Sequence, residues 1–434
     1  MYLIICYIAC MNDSKDSIGI WSSTSLVLGN MVGSGVFLLP ASLAIYGAIS
    51  LFGWLFSSLG AILLALVFGE LSKISNKKPG GPYYYTRKSF GDLPAFLVAW
   101  GYWISIWCTN AAITVALLGY LGVLFPILNS NTMLSIWTGL FFIWFFTWIN
   151  SKKISTIGFV QTLTTALKII PIVFVGFFGL FYIDCNNFYP FNASDLSNFE
   201  AITATTTLTF FAFLGMESAT IPSDKVNNAN TTIKKATIYG TLIAIVIYFT
   251  STISIMGLIP IEDLTNSSAP FADSAEIISG PFSRKIVAIG AVIATMGALN
   301  GWILIQGQIP MSASIDGLFP KIFAKKNSNN SPISGIIISS VLISFLLLAN
   351  YSKTLVEAFT FMIKLSTLSV ITPYLFSTAC LALLSKTNNF RLIISFLAFI
   401  FSIWIIIGCG LETVTLGFIM LLAGIPFYYW LKRK

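Results

Sequence analysis

The sequence predicts an all-α polytopic membrane protein of about twelve transmembrane spans, and two observations carry this prediction. Of the 434 residues, 56% are hydrophobic and only 9% are charged. A water-soluble chain of this length could not bury so much apolar surface, whereas a lipid bilayer accommodates it. Apolar segments of about 20 residues also recur between short polar or Gly/Pro-rich loops. One integrated membrane domain is therefore expected.

The predicted spans follow one another closely along the chain. In order, spans 1 to 12 cover residues 18–46, 49–71, 93–123, 132–150, 156–182, 198–228, 235–258, 285–316, 333–350, 354–385, 390–409 and 412–431. Three parts result: a cytoplasmic N-terminus (1–17), a ten-helix core (18–385), and two additional helices with a basic cytoplasmic tail (386–434). Residues 1–10 are apolar but too short to span a bilayer, so Met11 is the expected true start.

The distribution of basic residues predicts the orientation of the chain. Most of the 24 Lys and Arg residues fall in alternate loops, and only Arg284, Lys285 and Lys353 fall in the loops on the other side. Because basic loops remain on the cytoplasmic side, both termini are predicted to be cytoplasmic in a plasma membrane protein (the inner membrane in a Gram-negative bacterium). The net charge of +8 thus reflects topology, and no nucleic-acid partner is expected.

No residue pattern indicates catalysis, a metal or a cofactor. The sequence contains no histidine, which is the commonest metal ligand and the usual acid or base near neutral pH. The six cysteines show no metal-ligand spacing, so neither an enzyme nor a cofactor is expected. A channel would need rings of like residues along a pore, whereas the ionisable residues inside the spans are isolated: Lys168, Glu217 and Lys364.

Two spans carry polar, glycine-rich interruptions near their middle. Span 1 contains GNMVGSG, and span 6 contains FLGMES, in which Gly215 comes shortly before Glu217. Irregular backbone at this depth is tolerated only where it is buried in protein or lines a cavity. Interrupted spans at corresponding positions of two repeats point to a transporter's binding site. The pattern predicts two inverted five-span repeats plus two extra helices, although helix packing on small residues would explain either span alone.

The two interruptions also predict how an amino acid would be held. A helix that begins near Ser34 and Gly35 offers free N–H groups and the positive end of its dipole, which suits a carboxylate. A helix that ends between Phe211 and Leu214 offers free carbonyls, which suit an ammonium group. Together they predict a clamp for the backbone of a zwitterion.

Longer motifs around these positions resemble the amino acid–polyamine–organocation superfamily, most closely its bacterial arginine:agmatine antiporter branch. The matching segments are GNMVGSGVFLLP, PGG with Tyr83 and Arg87 after it, GYWISIWCTN, FLGMESA, LNGW and DGLFP, in this order. The resemblance implies a leucine-transporter-like fold with alternating access, which exchanges a small amino acid or amine across the lipid bilayer. It also implies a possible homodimer and no cofactor.

The resemblance further implies roles for individual residues. Ser34 and Gly35 would receive the substrate carboxylate, and the backbone carbonyls of Met31, Phe211 and Leu214 would receive its amino group. The side-chain pocket would be formed by Tyr102, Ile106, Asn110, Trp302 and Lys364, while Tyr83 and Glu217 would act in gating. Trp302 is placed to stack on a cationic group. Helix packing remains the alternative role for Tyr102 and Trp302, and hydrogen bonding to a neighbouring helix for Asn110.

Four positions depart from the antiporter branch or point to a different coupling. Phe211 replaces a tryptophan, Ile106 replaces a cysteine, and Lys364 aligns with a serine that contacts the substrate guanidinium. A lysine there would repel a cation unless it is neutral or turned away, although a one-residue misalignment would remove the conflict. Lys168 lies in a K-x-x-P element like that of proton-coupled members, where it could load and release a proton or be purely structural.

Three functional hypotheses stay open at this stage. The overall resemblance favours amino acid/amine antiport of the arginine:agmatine type. Phe211, Lys364 and Lys168 favour proton-coupled symport of a neutral or acidic amino acid. A non-transporting amino acid sensor on the same scaffold is the third hypothesis.

Overall fold

The computed structural model describes residues 19–74, 81–152, 169–220, 226–329, 331–350, 352–385 and 388–432. Within these ranges, ten helices are long and apolar enough to cross a membrane. Two shorter apolar helices, Ile169–Tyr182 and Ile333–Ala349, lie at the positions of spans 5 and 9. The described part of the chain therefore accounts for all twelve predicted spans, and residues 156–168 of span 5 lie outside it.

The helices begin and end close to the predicted boundaries. Span 1 comprises Ile20–Met31 and Ser34–Ala44, and spans 2 to 5 are Ser50–Ile74, Asp92–Leu124, Thr132–Asn150 and Ile169–Tyr182. Span 6 comprises Asn198–Phe210 with the 3-10 helices Phe211–Phe213 and Met216–Thr220. Spans 7 to 12 are Ala229–Leu258, Pro281–Ile315, Ile333–Ala349, Leu355–Leu384, Asn389–Gly408, and Leu411–Leu422 with Gly424–Lys432. Short connecting helices are Gly47–Ile49, Gly81–Phe90, Ile127–Ser130, Cys185–Phe188, Ile261–Asn266, Pro270–Ser279 and Lys321–Ala324.

Span 3 forms the centre of the bundle and packs most extensively against spans 8 and 10. Its most apolar stretch is 94% buried, whereas that of span 12 is only 17% buried. Spans 4, 11 and 12 instead expose large apolar side chains, among them Trp137, Phe396 and Phe418. Such exposed apolar surface suits contact with lipid. The interior position of span 3 places its polar side chains away from lipid.

The predicted interruption of span 1 is confirmed. The first helix ends at Met31, and the second begins at Ser34 after the non-helical residues Val32 and Gly33. The Val32 amide donates to the Leu28 carbonyl at 2.8 Å, which closes the first helix. The second helix consequently presents its unpaired N–H groups inside the protein.

The interruption of span 6 is also confirmed, and it lies against that of span 1. The α-helix ends at Phe210, Leu214 is extended, and Gly215 adopts φ +99°, which side chains rarely permit. A Cβ added at Gly215 would lie 3.1 Å from the Asn30 Cβ. Glycine is therefore required here both for the turn and for the close approach of the two spans.

A buried carboxylate joins three spans at one end of the bundle. Glu70 of span 2 is 4% exposed, and its Oε1 lies 2.7 Å from Lys234 Nζ of span 7 and 3.1 Å from Lys73 Nζ. Its Oε2 lies 2.9 Å from Arg391 Nη2 of span 11. We call these four residues the Glu70 cluster. It connects the peripheral span 11 to spans 2 and 7.

Candidate functional site

The buried carboxylate of Glu217 lies directly after the break in span 6 and joins three spans. Tyr102 of span 3 donates to its Oε1 at 2.5 Å, and Tyr374 of span 10 donates to its Oε2 at 2.6 Å. Glu217 is fully buried. Each oxygen of the Glu217 carboxyl group therefore has a tyrosine hydroxyl as its hydrogen-bond partner. Any movement of span 6 relative to spans 3 and 10 must break these bonds.

Tyr374 was missed by the sequence analysis. Its only signal in the sequence is helical spacing, since it lies on the same face of span 10 as Ser366 and Val370, all three of which are buried. Ser366 continues the contact with span 3, because its hydroxyl lies 3.0 Å from Ser105 Oγ and 2.7 Å from Thr109 Oγ1. This face of span 10 is therefore polar and directed to span 3.

Two predicted aromatic residues are buried near the breaks. Phe211 is 5% exposed and packs edge-on against Phe359 of span 10, with ring centroids 6.3 Å apart. Trp302 of span 8 is buried as well. A Cβ added at Gly33 would lie 3.8 Å from the Cβ of Ala298, one helical turn before Trp302. The break of span 1 thus faces the part of span 8 that carries this tryptophan.

Asn110 and Ile106 lie in the middle of span 3, and both are fully buried. The Asn110 Nδ2 donates to Gln306 Oε1 of span 8 at 2.7 Å. The structure therefore places Asn110 in a contact between helices, on the same helical face as Tyr102. Gln306 was not singled out from the sequence, because nothing in the chain order indicates that these two amides meet.

The backbone groups of the predicted clamp are partly engaged within the chain. The Met31 carbonyl accepts from the Gly33 amide at 2.8 Å, and the Phe211 carbonyl accepts from the Leu214 amide at 3.1 Å. A carbonyl oxygen has two lone pairs, so each retains one acceptor position. The second helix of span 1 begins at Ser34 as predicted, while the Ser34 side chain and the surroundings of Gly35 lie outside what the structure describes. Their contact with a carboxylate stays a prediction.

Lys364 contacts the end of span 11 through its backbone. Its carbonyl accepts from Cys409 Sγ at 3.8 Å. The predicted contact of Lys364 with substrate stays untested. Lys168, the other predicted lysine, lies outside the described residues.

Tyr83 belongs to a second polar contact, at the end of span 8. Its hydroxyl donates to Asp316 Oδ2 at 2.6 Å, and Arg87 Nη1 lies 3.7 Å from the same oxygen. Arg87 Nε also donates to Asp92 at 3.0 Å. Burial, followed by the contact with Asp316, raises the pKa of Tyr83 well above its usual value of 10. The short helix Gly81–Phe90 is thereby fastened to span 8; Asp316 was missed, although it begins the DGLFP motif.

This architecture defines a class of protein. A polytopic helical bundle in which two broken spans meet beside a buried carboxylate is that of a secondary active membrane transporter. The chain belongs to the amino acid permease family, whose model matches residues 18–430. It is thus an integral membrane transporter rather than an enzyme, and the resemblance inferred from its motifs is confirmed.

Several relatives match this chain along almost its whole length. A putrescine transporter (PotE) of Haemophilus influenzae is 31% identical, over 98% of this chain and 99% of its own. A putative arginine/ornithine antiporter of Bacillus subtilis is 32% identical, over 96% and 97%. A cadaverine/lysine antiporter of Escherichia coli strain K12 is 31% identical, over 96% and 95%.

The fold is also shared with a solved structure. A manganese transporter of Eremococcus coleocola superposes with a TM-score of 0.59 over 94% of both chains. At 12% sequence identity, this likeness supports the fold alone, in agreement with the predicted arrangement of ten core helices.

Proposed function

We propose that this protein exchanges a basic amino acid for an amine across the plasma membrane, in the manner of arginine:agmatine antiport. The observation that carries the proposal is the buried Glu217 carboxyl group directly after the break in span 6, since this group attracts a cationic substrate whenever it is ionised. The relatives' names contain arginine, ornithine, lysine, cadaverine and putrescine. The first three are amino acids with a cationic side chain, and the last two are diamines. All five therefore share a positively charged group that is not an α-amino group.

The site offers separate groups for the two ends of such a substrate. The helix that begins at Ser34 suits a carboxylate, and the carbonyls of Met31 and Phe211 suit an ammonium group. A diamine lacks the carboxylate, so it would use only the acceptors and the aromatic face of Trp302. Because the acceptor groups serve both substrates, one site can bind either partner of an exchange.

Alternating access requires that the polar contacts on the path open and close. The bonds from Tyr102 and Tyr374 to Glu217 fasten span 6 to spans 3 and 10, and that of Tyr83 fastens the helix Gly81–Phe90 to span 8. We assign the first set to the gate next to the substrate and the second to a gate at the end of the pathway. Substrate binding would have to replace or loosen the first set before the second opens.

The charges support an orientation for the pathway. Lys73, Lys234 and Arg391 lie together in the Glu70 cluster at one end of the bundle. Basic residues are retained on the cytoplasmic side, so we propose that this end and both termini are cytoplasmic. Association as a homodimer and coupling to a proton through Lys168 remain predictions.

The main sequence-based argument for an acidic or neutral substrate rested on Lys364. The backbone carbonyl of Lys364 contacts Cys409 at the end of span 11, and its position on span 10 lies about 120° from the face that carries Phe359, Ser366 and Tyr374. We therefore infer that Lys364 does not line the substrate site, and we propose antiport alone.

Uptake into liposomes tests this proposal. Purified protein would be reconstituted with internal putrescine, and uptake of labelled arginine, lysine, glutamate and serine would be measured with protein-free liposomes as the control. We expect uptake of arginine or lysine that requires internal amine. Uptake of serine or glutamate into amine-free liposomes, driven by a pH gradient alone, would establish symport instead. Binding without flux under every condition would establish a sensor.

A further inference from the structure

Gln306 of span 8 lies at the centre of a directed chain of hydrogen bonds. Its Nε2 donates to the Ile336 carbonyl at 3.2 Å and to Ser340 Oγ at 3.0 Å, both on span 9. Its Oε1 accepts from Asn110 Nδ2 of span 3 at 2.7 Å. Both amide side chains are fully buried. The chain therefore runs from a backbone carbonyl of span 9, through span 8, to span 3.

The backbone carbonyl decides the direction of every bond in this chain. A carbonyl can only accept, so the Gln306 atom that faces Ile336 must be the amide nitrogen. Its oxygen is then directed to Asn110 and can only accept, so Asn110 must present its nitrogen there. The other group of Asn110, Oδ1, is consequently fixed as an acceptor that faces elsewhere. Span 9, for which the sequence predicted no functional role, thereby determines the orientation of the Asn110 side-chain amide on span 3.

The Asn110 Oδ1 is buried and has no hydrogen-bond partner among the described residues. Buried acceptors in native proteins normally have a donor, so an unpaired one is a candidate position for a donor on a ligand. Asn110 lies two helical turns after Tyr102 on span 3, and Gln306 lies one turn after Trp302 on span 8. The acceptor thus lies between the level of Trp302 and that of the Tyr102–Glu217 contact, which directly follows the break of span 6.

We propose that Gln306 is a positioning residue for specificity, which holds the Asn110 amide so that the pathway presents an acceptor and no donor at this level. Such a group favours a substrate that ends in an ammonium group over one that ends in a methyl group or a carbonyl oxygen. The inference rests on the proposed function, and it identifies how that function would distinguish lysine from a neutral amino acid of the same length.

A second buried amide pair supplies a matched control, because Asn150 Oδ1 is also buried without a hydrogen-bond partner among the described residues but belongs to span 4, away from Tyr102 and Glu217. Asn150 of span 4 donates through Nδ2 to the Asn300 carbonyl at 3.2 Å and to Asn300 Oδ1 at 3.0 Å. Asn300 lies two residues before Trp302, which places it on the opposite side of span 8. This pair joins the same span to another helix without contributing to the chain through Gln306. Asn150→Ala therefore reports the general cost of removing a buried amide.

The test measures binding of lysine and of norleucine, which lacks only the terminal ammonium group, to the full-length protein in liposomes. We expect Asn110→Ala to lower the preference for lysine by about 10- to 100-fold, because a hydrogen bond to a charged group is lost. Gln306→Met releases the Asn110 amide to rotate and should lower the preference by about 3- to 10-fold. The double variant should be no worse than Asn110→Ala alone, since Gln306 acts through Asn110. Asn150→Ala should leave the preference unchanged.

The outcomes separate this inference from the function on which it rests. If the wild-type protein binds lysine but Gln306→Met keeps the full preference, or if the two losses add in the double variant, the positioning role is rejected and the exchange function stands. If the wild-type protein neither binds nor exchanges basic amino acids or amines, the proposed function and the inference both fall. Gln306→Asn, whose shorter amide cannot reach span 9 and Asn110 together, replaces Gln306→Met if the latter does not fold, with the same expected loss.

Discussion

The contact between the two broken spans makes a sharp prediction for Gly215→Ala. Gly215 combines φ +99° with a backbone approach at which a Cβ would lie 3.1 Å from the Asn30 Cβ and 3.3 Å from its carbonyl carbon. Both features oppose a side chain, and neither neighbour is the flexible end of a long residue. Alanine must therefore either separate spans 1 and 6 or distort the turn between them.

The two costs can be estimated separately and checked with a control. Placing an L-residue in such a positive-φ conformation costs about 1–3 kcal/mol, and overpacking adds about 1–3 kcal/mol. Gly91 adopts φ +85°, and no described heavy atom lies within 4 Å of a Cβ added there. Gly91→Ala should thus lose about 1–3 kcal/mol of stability, while Gly215→Ala should lose about 2–6 kcal/mol.

Thermal unfolding in detergent and exchange in liposomes measure these effects. We expect Gly215→Ala to unfold at a lower temperature than Gly91→Ala and to lose exchange, because the clamp groups of spans 1 and 6 no longer align. Gly91→Ala should retain exchange. Equal unfolding temperatures together with wild-type exchange in Gly215→Ala would refute the argument that this contact sets the geometry of the site.

Two further substitutions, with one control, test the contacts of the buried carboxyl groups. Tyr374→Phe removes one of the two hydroxyls bound to Glu217 and should destabilise the protein by about 1.5–3 kcal/mol and slow exchange. Tyr248→Phe, which loses a 3.1 Å bond to a neutral backbone carbonyl of span 6, should cost only about 1 kcal/mol; equal unfolding shifts for the two would contradict the special role of the carboxylate. Glu70→Gln leaves three cations without their anion and should cost about 2 kcal/mol, since these cations are partly exposed and screened. The effect of Glu70→Gln on unfolding should diminish in high salt, and a salt-independent shift would contradict an electrostatic cause.

The spans and their interruptions were predictable because they depend on local sequence. Apolar length determines where a helix can cross a bilayer, and polar or glycine-rich residues mark where it can break. The helix start at Ser34 and the turn at Gly215 both follow from neighbouring residues. No long-range contact had to be known for these features, so predicted and observed boundaries differ by only a few residues in most of the described spans.

The partners within the site were not predictable in the same way. Tyr374, Gln306 and Asp316 each bond to a residue that the sequence analysis had named, yet each lies more than one hundred positions away from its partner. Such pairs depend on how spans 3, 6, 8 and 10 and the short helix Gly81–Phe90 pack against one another. A single sequence contains the polar residues but not the crossing, which explains why one member of each pair was found and the other was missed.

Lys364 shows what helical geometry alone adds to a sequence alignment. At about 100° per residue, Phe359, Ser366 and Tyr374 fall within an arc of about 80° on span 10, and their contacts with spans 3 and 6 define the inner face of this helix. Lys364 lies about 120° from the centre of that arc, and its carbonyl contacts Cys409 at the end of span 11. Helical geometry therefore places Lys364 on a different face of span 10 from the residues that surround the breaks. A cationic substrate and Lys364 are compatible for this reason.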